Sequence, residues 1–420
     1  MRNGLIGVLT MLLVATLPAV AQDADQQKKW CANEGGNVAP DLQIGGCTAI
    51  IQAGRESTAN LAISFYNRGS AYMDVGQYDR AIQDFDQANR LGPNDASTLS
   101  NRGNAYSFKG QYDRAIQDYD QAIRLKPDHA NAFSNRGSAY QYKGQHDRAI
   151  RDYDQAIRLN PNFAVAFKNR GNAYNAKGEH DRAIQDYDQA IRLNPNLASA
   201  FSNRAKAYSA KSQFARELQD LDQAIRLDPK DADAFFIRGK LHWYWKGNKQ
   251  LSLQDLSRAI QLGRRDADAY AERGMVHASL GQRENALRDY DQAIQLDASR
   301  FGYWRARCEQ NAMLGRAAAA LPDCDKSIAL YRNEEALAYR ALAQLQLGNL
   351  PAAEVDCRAA IAGLGDEPLY YFILGMILEA RGDRAGANQQ YAEVKRFGLK
   401  RASPDELAKQ ERELGRFRRK

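Results

Sequence analysis

The 420-residue sequence has few of the side chains that most often bind metals or act as nucleophiles, with only five histidines and five cysteines. The histidines do not cluster as ligands, and no two cysteines show the Cys-x2-Cys spacing of a zinc site. A Walker loop, a dinucleotide-binding glycine pattern and a Gly-x-Ser-x-Gly elbow are also absent. We therefore predict no metal site, no cofactor, no catalytic residues and no enzymatic activity.

Long apolar runs are missing beyond the N-terminus, and no Pro-, Gly- or Ser-rich linker divides the chain into separate domains. The exception is an apolar run at residues 5–17, which follows Arg2 and ends in the cleavage pattern Ala19-Val20-Ala21. This pattern predicts a signal peptide over residues 1–21. An uncleaved membrane anchor is the alternative, although the run is short for a membrane span. We expect an exported protein that resides in the periplasm or is secreted.

The chain is rich in copies of one block. A glycine recurs at a constant interval, at positions 69, 103, 137 and 171, and long stretches around it are nearly identical. Residues 101–127 read NRGNAYSFKGQYDRAIQDYDQAIRLKP, and residues 169–195 read NRGNAYNAKGEHDRAIQDYDQAIRLNP. A period of this length is typical of a helix–turn–helix solenoid, in which units must stack to bury their apolar faces. We therefore expect function on surfaces rather than in a catalytic cleft.

Each unit shows two apolar patterns of helical period, one on either side of a turn. In the second full unit, the pattern predicts a first helix (helix A) over residues 97–109 and a second (helix B) over residues 112–124. Gly110 suits the left-handed conformation that ends a helix. Pro127 prevents helix B from continuing.

These residues resemble the tetratricopeptide repeat. The matching positions in this unit are Gly103, Tyr106, Gly110, Tyr112, Ala115, Tyr119, Ala122 and Pro127. Arg102 departs from the family pattern, which usually has an aliphatic residue there. The resemblance implies an all-α, right-handed superhelix (an α-solenoid) of about ten repeats, with a concave groove lined mainly by helix A. It implies a partial N-terminal repeat over residues 22–61, the superhelix over 62–398, and a basic capping helix or tail over 399–420.

The cysteines fall at matching repeat positions. Cys31 and Cys47 have the same separation along the chain as Cys308 and Cys324, and each pair occupies the same two repeat positions, one on each helix. Equal rise along two antiparallel helices brings such residues opposite each other. We predict two disulfides, the first of which staples the partial N-terminal repeat. The alternative for the second pair is two small core residues. Cys357 has no cysteine at its partner position, and we predict a buried free thiol.

The net charge of +7 is concentrated at the C-terminus, where residues 395–420 hold ten Lys or Arg and four Asp or Glu. The repeats are close to neutral, so the overall charge does not indicate nucleic-acid binding, and we expect none. The segment Ser403-Pro404-Asp405-Glu406 predicts the start of a helix. This basic tail is interpreted as a polar cap on the last repeat. Peripheral contact with an acidic partner or membrane surface is the alternative.

Two features exceed the needs of packing. The first is a row of asparagines on helix A with lysines nearby, on the side expected to face the groove. A carboxamide both donates and accepts hydrogen bonds, so the row could pair with the backbone of an extended peptide. Alternatively, it satisfies neighbouring helices. The candidate peptide-binding residues are Asn67, Asn101, Asn104, Asn135, Lys168, Asn169, Asn172, Asn203 and Lys206. The adjacent arginines are interpreted as structural ion-pair partners of helix B aspartates.

The second feature is the aromatic patch Trp243, Tyr244 and Trp245 at the end of a helix A whose repeat gains one residue. Aromatic density can anchor an interface, and repacking around the insertion is the alternative.

Two functions follow from the resemblance. One is a scaffold that binds a partner protein or an extended peptide in its groove. The other is a structural scaffold of an envelope, secretion or polysaccharide-export complex that acts through its ends and convex face.

Overall fold

The structure, a computed structural model, describes residues 24–401. The expected signal peptide at residues 1–21 lies outside the described residues, as does all but the first few residues of the expected tail at 399–420. Residues 24–401 form 22 α-helices and no β-strand, which confirms the all-α expectation. They fall into two compact units that divide between Pro195 and Asn196.

The described part of the first unit begins with a short helix pair and continues with four full pairs. Its helices are α1 (Ala24–Cys31), α2 (Pro40–Ala53), α3 (Thr58–Asp74), α4 (Tyr78–Leu91), α5 (Ala96–Phe108), α6 (Tyr112–Leu125), α7 (Ala130–Tyr142), α8 (His146–Leu159), α9 (Ala164–Ala176) and α10 (His180–Leu193). The helices predicted at residues 97–109 and 112–124 are α5 and α6, displaced by one residue at most.

The described part of the second unit continues the same alternation. Its helices are α11 (Ala198–Ala210), α12 (Phe214–Leu227), α13 (Ala232–Tyr244), α14 (Lys249–Gln261), α15 (Ala267–Ser279), α16 (Arg283–Leu296), α17 (Phe301–Met313), α18 (Ala317–Leu330), α19 (Glu334–Gln346), α20 (Leu350–Gly363), α21 (Pro368–Ala380) and α22 (Arg384–Arg401). Within residues 24–401, no helix is both long and apolar enough to cross a lipid bilayer.

Consecutive helices pack in pairs, and within each unit every helix B also packs against the helix A that follows it. A glycine on helix A allows the two helices of a pair to pack closely. A Cβ atom at Gly103 would lie only 2.7 Å from Cε1 of Tyr119, whose ring is buried between α5 and α6. The same glycine–tyrosine contact recurs in the next two repeats. The turn glycine Gly110 has a φ of 71°, a conformation that glycine adopts without steric cost.

An arginine on helix A ties two successive helices B together. Arg102 donates from Nε and Nη2 to both carboxylate oxygens of Asp118 on α6, at 2.8 and 2.6 Å. Its Nη1 donates to Asp86 on α4 at 2.7 Å. Bidentate, charge-assisted hydrogen bonds of this kind are among the strongest that proteins make. One guanidinium therefore fixes its own repeat and attaches it to the preceding one.

This arginine clamp recurs along both units, which confirms the interpretation of the arginines as structural. The further bidentate pairs are Arg68–Asp84, Arg136–Asp152, Arg170–Asp186, Arg204–Asp220, Arg238–Asp255, Arg273–Asp289, Arg307–Asp323 and Arg340–Asp356. The aspartate of each pair is buried. Burial raises the pKa of the Asp118 carboxyl, and the guanidinium of Arg102 opposes that rise.

The cysteines form the two predicted disulfides. Cys31 and Cys47 join α1 to α2 with a Cα–Cα distance of 4.6 Å, and Cys308 and Cys324 join α17 to α18 at 5.3 Å. Cys357 is a buried free thiol, as predicted, and its Sγ donates to the carbonyl oxygen of Tyr370 at 3.1 Å. Burial raises the pKa of the Cys357 thiol to about 12, so little reactive thiolate forms near neutral pH.

Replacing Arg136 by methionine should lower the free energy of unfolding by about 2–4 kcal/mol, because Asp152 would remain buried without its cation. Adding Asp152→Leu should restore most of the loss, since an apolar pair of similar volume often replaces a buried ion pair without penalty. Urea denaturation followed by circular dichroism measures both effects. Arg124→Met, at an exposed position on α6, is the matched control and should change little. A double variant no more stable than Arg136→Met would contradict this account.

Candidate functional site

The asparagine row on α5, α7 and α9 forms hydrogen bonds between successive repeats. In each case the carboxamide nitrogen reaches back to the preceding helix A. The donors and acceptors are Asn101 to the Tyr66 hydroxyl at 2.9 Å, Asn135 to Asn104 Oδ1 at 2.9 Å, and Asn169 to Ser138 Oγ at 3.4 Å. Part of the donor capacity of the row is therefore used within the protein, as the alternative to peptide binding expects.

The polar side chains one turn further along helix A hold the buried tyrosines of helix B. The Tyr119 hydroxyl donates to Asn104 Oδ1 at 2.8 Å, and the Tyr187 hydroxyl donates to Asn172 Oδ1 at 2.8 Å. Asn104 thus accepts from both Tyr119 and Asn135. Its carboxamide oxygen is a structural junction between α5, α6 and α7.

The carboxamide oxygens of two asparagines in the row take no part in these structural hydrogen bonds. Among the described residues, no donor reaches the carboxamide oxygens of Asn135 or Asn169, and both side chains are half-buried rather than enclosed. A carbonyl oxygen with two lone pairs and no donor is a ready acceptor for a backbone N–H group. The row therefore combines an inward structural contact with an outward-facing acceptor.

Five of the predicted residues line one cavity of about 800 Å³ in the first unit: Asn104, Asn135, Lys168, Asn169 and Asn172. Asn67 and Asn101 do not line it. Asn67 is half-buried on α3 and makes no side-chain hydrogen bond with the described residues. Asn203 and Lys206 belong to the second unit, where Asn203 is half-buried and Lys206 is exposed on α11.

Aromatic side chains on the cavity wall were not among the predicted site residues. Phe108 and Tyr142 end α5 and α7, and they are 67% and 72% exposed. Each stacks in parallel on the first residue of a helix B: Phe108 on Tyr78 and Tyr142 on Tyr112, both with ring centroids 5.2 Å apart. The signal in the sequence was an aromatic residue that recurs at the same position of the next repeat, off the buried stripe. These rings give the polar cavity an apolar edge.

Lys168 departs from its counterparts in other repeats. Its repeat position holds Ser100, Ser134 and Ser202, all of them buried. Burial lowers the pKa of the Lys168 ammonium. None of the described carboxylates lies within ion-pair distance of it. The cavity therefore contains a partly desolvated cation whose counter-ion is not supplied by the described part of the chain.

The aromatic patch divides into a packed residue and two exposed ones. Trp243 packs against the cluster around Phe236 and Leu256 in the second unit, which favours repacking around the insertion for this residue. Tyr244 is 60% exposed and donates to Glu272 at 3.0 Å, and Trp245 is 37% exposed. The last two are exposed, and Trp243 is half-buried on the wall of a cavity of about 720 Å³.

Among residues 24–401, no three His, Cys, Asp or Glu side chains converge in a way that could hold a metal ion. His146, at the edge of the cavity, has a buried Nδ1 that no described residue meets with a hydrogen bond. His180 Nδ1 lies 2.7 Å from Asn175 Oδ1. The histidines at the start of these helices B thus stand where other repeats have an aromatic residue.

The pattern of paired helices is that of an all-α repeat solenoid, and comparison with known families makes it specific. Family models described as TPR repeat or tetratricopeptide repeat match residues 60–107, 96–129, 130–163, 152–185, 171–212 and 267–300. The chain is a tetratricopeptide-repeat protein. Such repeats generally bind protein or peptide partners and have no catalytic activity of their own. No curated protein matches the chain significantly.

Solved structures resemble parts of the chain. A tetratricopeptide repeat protein from Parabacteroides merdae is 20% identical, covering 56% of this chain and 93% of its own, with a TM-score of 0.44. Pseudomonas aeruginosa PilF is 17% identical over 51% and 97%, with a TM-score of 0.48. YrrB, described as a TPR protein with an unusual peptide-binding site, is 25% identical over 46% and 97%, with a TM-score of 0.36.

Asn104→Ala should lower the free energy of unfolding by about 1–3 kcal/mol, because it removes an acceptor from the buried Tyr119 hydroxyl and from Asn135. Asn67→Ala is the matched control, since Asn67 makes no such hydrogen bond, and it should change stability by less than about 0.5 kcal/mol. Urea denaturation of both variants measures the difference. Equal stability of the two would show that the junction at Asn104 is dispensable.

Proposed function

We propose that the protein is a non-catalytic scaffold that binds an extended segment of a partner protein in the cavity of the first unit. One observation supports this most strongly. Three kinds of group line the same space of about 800 Å³: exposed stacked rings, carboxamide oxygens and the ammonium of Lys168. Among residues 24–401, no donor meets these oxygens and no carboxylate pairs with this ammonium. A surface that only packed against its own chain would have little use for these three kinds of group together.

Each group has a separate task in holding an extended chain. The outward oxygens of Asn135 and Asn169 accept backbone N–H groups, which every peptide offers regardless of its sequence. The exposed faces of Phe108 and Tyr142 take apolar side chains of the segment. Lys168 pairs with a carboxylate, and partial burial strengthens that attraction. The rival function is an assembly scaffold that acts through its ends and convex face and leaves this cavity without a peptide.

We also propose export to the periplasm. The support is the apolar run with its cleavage pattern in residues 1–21, together with two disulfides in the described chain, because disulfides persist in oxidising compartments. Secretion into the medium is the alternative destination.

Protein recovered from the exported fraction should begin at Gln22 and contain both disulfides. Non-reducing peptide mapping should join the peptides of Cys31 and Cys47, and those of Cys308 and Cys324. Cys357 should react with iodoacetamide only after unfolding, because its thiol is buried and little ionised. Intact, fully reduced protein in the cytosol would contradict export.

The groove can be tested with variants that copy other repeats of the same chain. Lys168→Ser restores the serine found at residues 100, 134 and 202, and Tyr142→Ala restores the alanine found at 176 and 210, so both should fold. Against 12-residue peptides selected by phage display on the wild-type protein, each variant should weaken binding about tenfold, a loss of about 1.4 kcal/mol. Fluorescence anisotropy measures the affinity.

Val165→Ala serves as the control, because Val165 is exposed on α9 but does not line the cavity. It should bind the selected peptides as the wild type does. Unchanged affinity of both groove variants would remove the peptide-groove function and favour the rival scaffold.

A further inference from the structure

One repeat has a buried carboxyl group at a position where other repeats have alanine. Glu217 on α12 occupies the position of Ala81, Ala115, Ala149 and Ala183, each of which is 0% exposed. Glu217 is only 2% exposed, and its Oε2 has no hydrogen-bond partner in the described part of the chain. A hydrogen bond with Ser209 involves the same carboxyl group. A buried, unsatisfied carboxyl oxygen is costly, so its presence calls for a reason.

Two further changes in the same repeat remove the tyrosine–glycine contact that other repeats have. Other repeats place a tyrosine of helix B against a glycine of helix A, as Tyr119 lies against Gly103. Here the two positions hold Leu221 and Ala205, both fully buried. Leucine is shorter than tyrosine, and the Cβ of the alanine keeps a tyrosine ring out. Elsewhere the tyrosine hydroxyl reaches a helix A residue, as Tyr119 reaches Asn104, and Lys206 occupies the position of Asn104 here. This repeat has no such hydroxyl beside Lys206.

A pocket of about 520 Å³ lies between α11, α12 and α13, within the second unit. Glu217 lines it, and most of its other walls are apolar, with the rings of Phe214, Phe236 and Tyr244 among them. The asparagine row does not reach this pocket: Ile237 and Phe236 of α13 occupy the repeat positions of Asn135 and Ser134. The pocket is therefore built to take an apolar group rather than to read a peptide backbone.

The charged side chains of the pocket differ in burial: Glu217 is buried, and two lysines are not. Lys206 and Lys240 also line it, and each retains exposure to solvent. Neither forms an ion pair with Glu217; Lys240 instead lies 3.5 Å from Glu272. A cationic ligand would have to pass two ammonium groups to reach Glu217. A neutral hydrogen-bond donor meets no such repulsion, and negative charge next to it would be attracted to the lysines.

We propose that this pocket binds a tryptophan or tyrosine side chain of a partner protein, in a segment with acidic residues on either side. The aromatic body lies among Phe214, Phe236 and Tyr244. Its indole N–H or phenol O–H donates to Oε2 of Glu217. The flanking carboxylates pair with Lys206 and Lys240. This site is separate from the cavity of the first unit and does not depend on the function proposed for that cavity.

The test uses the full mature chain and three blocked peptides: acetyl-Asp-Trp-Asp-amide, acetyl-Asp-Phe-Asp-amide and acetyl-Lys-Trp-Lys-amide. Isothermal titration calorimetry should show the Asp-Trp-Asp peptide binding about five- to tenfold more tightly than the phenylalanine peptide, which lacks the donor. The Lys-Trp-Lys peptide should bind more weakly still. Equal affinity for the first two peptides, or no binding of either, would overturn the proposal.

Substitutions that copy residues of other repeats can show whether the peptides bind in this pocket. Glu217→Ala restores the alanine of other repeats and should erase the preference for tryptophan over phenylalanine. Glu217→Gln retains an acceptor oxygen and should keep the preference. Ala205→Gly with Leu221→Tyr restores the tyrosine–glycine contact of the other repeats and brings a hydroxyl to Lys206 at the pocket, so it should abolish binding of both acidic peptides. Val165→Ala, at an exposed position of the first unit that lines neither cavity, should leave them unaffected. A preference that survives Glu217→Ala, or binding that survives the double variant, would exclude this pocket.

Discussion

The arginine clamp is the interaction on which the stacking of repeats most depends. Apolar contacts hold helix A to helix B, but small residues dominate these contacts, and alanine and glycine leave many relative positions open. The guanidinium of Arg102 removes that freedom because it meets Asp118 and Asp86 with fixed bond directions. Ser257 occupies the repeat position of Asp86, so the second aspartate is missing there, and among the described residues Arg273 pairs only with Asp289 of its own repeat. The clamp therefore sets the geometry of each repeat and, in most cases, its attachment to the one before.

Much of the fold could be predicted from the sequence because the same pattern of small and apolar residues recurs in repeat after repeat. Helix bounds, the turn at Gly110 and both cystine pairs follow from the constant period of the repeat and the spacing of small residues. Less of the candidate site could be predicted from the sequence. A pattern shows that Asn135 recurs, but not that its nitrogen is already engaged by Asn104 while its oxygen is left open. That distinction depends on the distance between successive helices A, which no single repeat encodes.

The same helix A face differs between the first unit and α13 of the second unit. In the first unit, asparagine and serine positions leave acceptors along a polar cavity, edged by stacked rings. In the second, the corresponding positions on α13 hold Phe236 and Ile237, and the polar row gives way to an apolar wall. Two substitutions per helix suffice for this change, because neither position contributes to the clamp or to the glycine contact. A solenoid can in this way keep its packing and vary what it binds.

The departures from the repeat fall into two groups. Some are compensated within the chain. Leu221 replaces a tyrosine where Ala205 replaces a glycine, and Cys324 replaces one where Cys308 is its bonded partner. Others are not. Lys168 replaces a small serine without a counter-ion among the described residues, and Glu217 replaces a buried alanine while Oε2 remains unsatisfied. A compensated change needs no more than the fold to explain it. An uncompensated one lowers stability for as long as the protein is alone, so the missing partner atoms are best sought on another molecule.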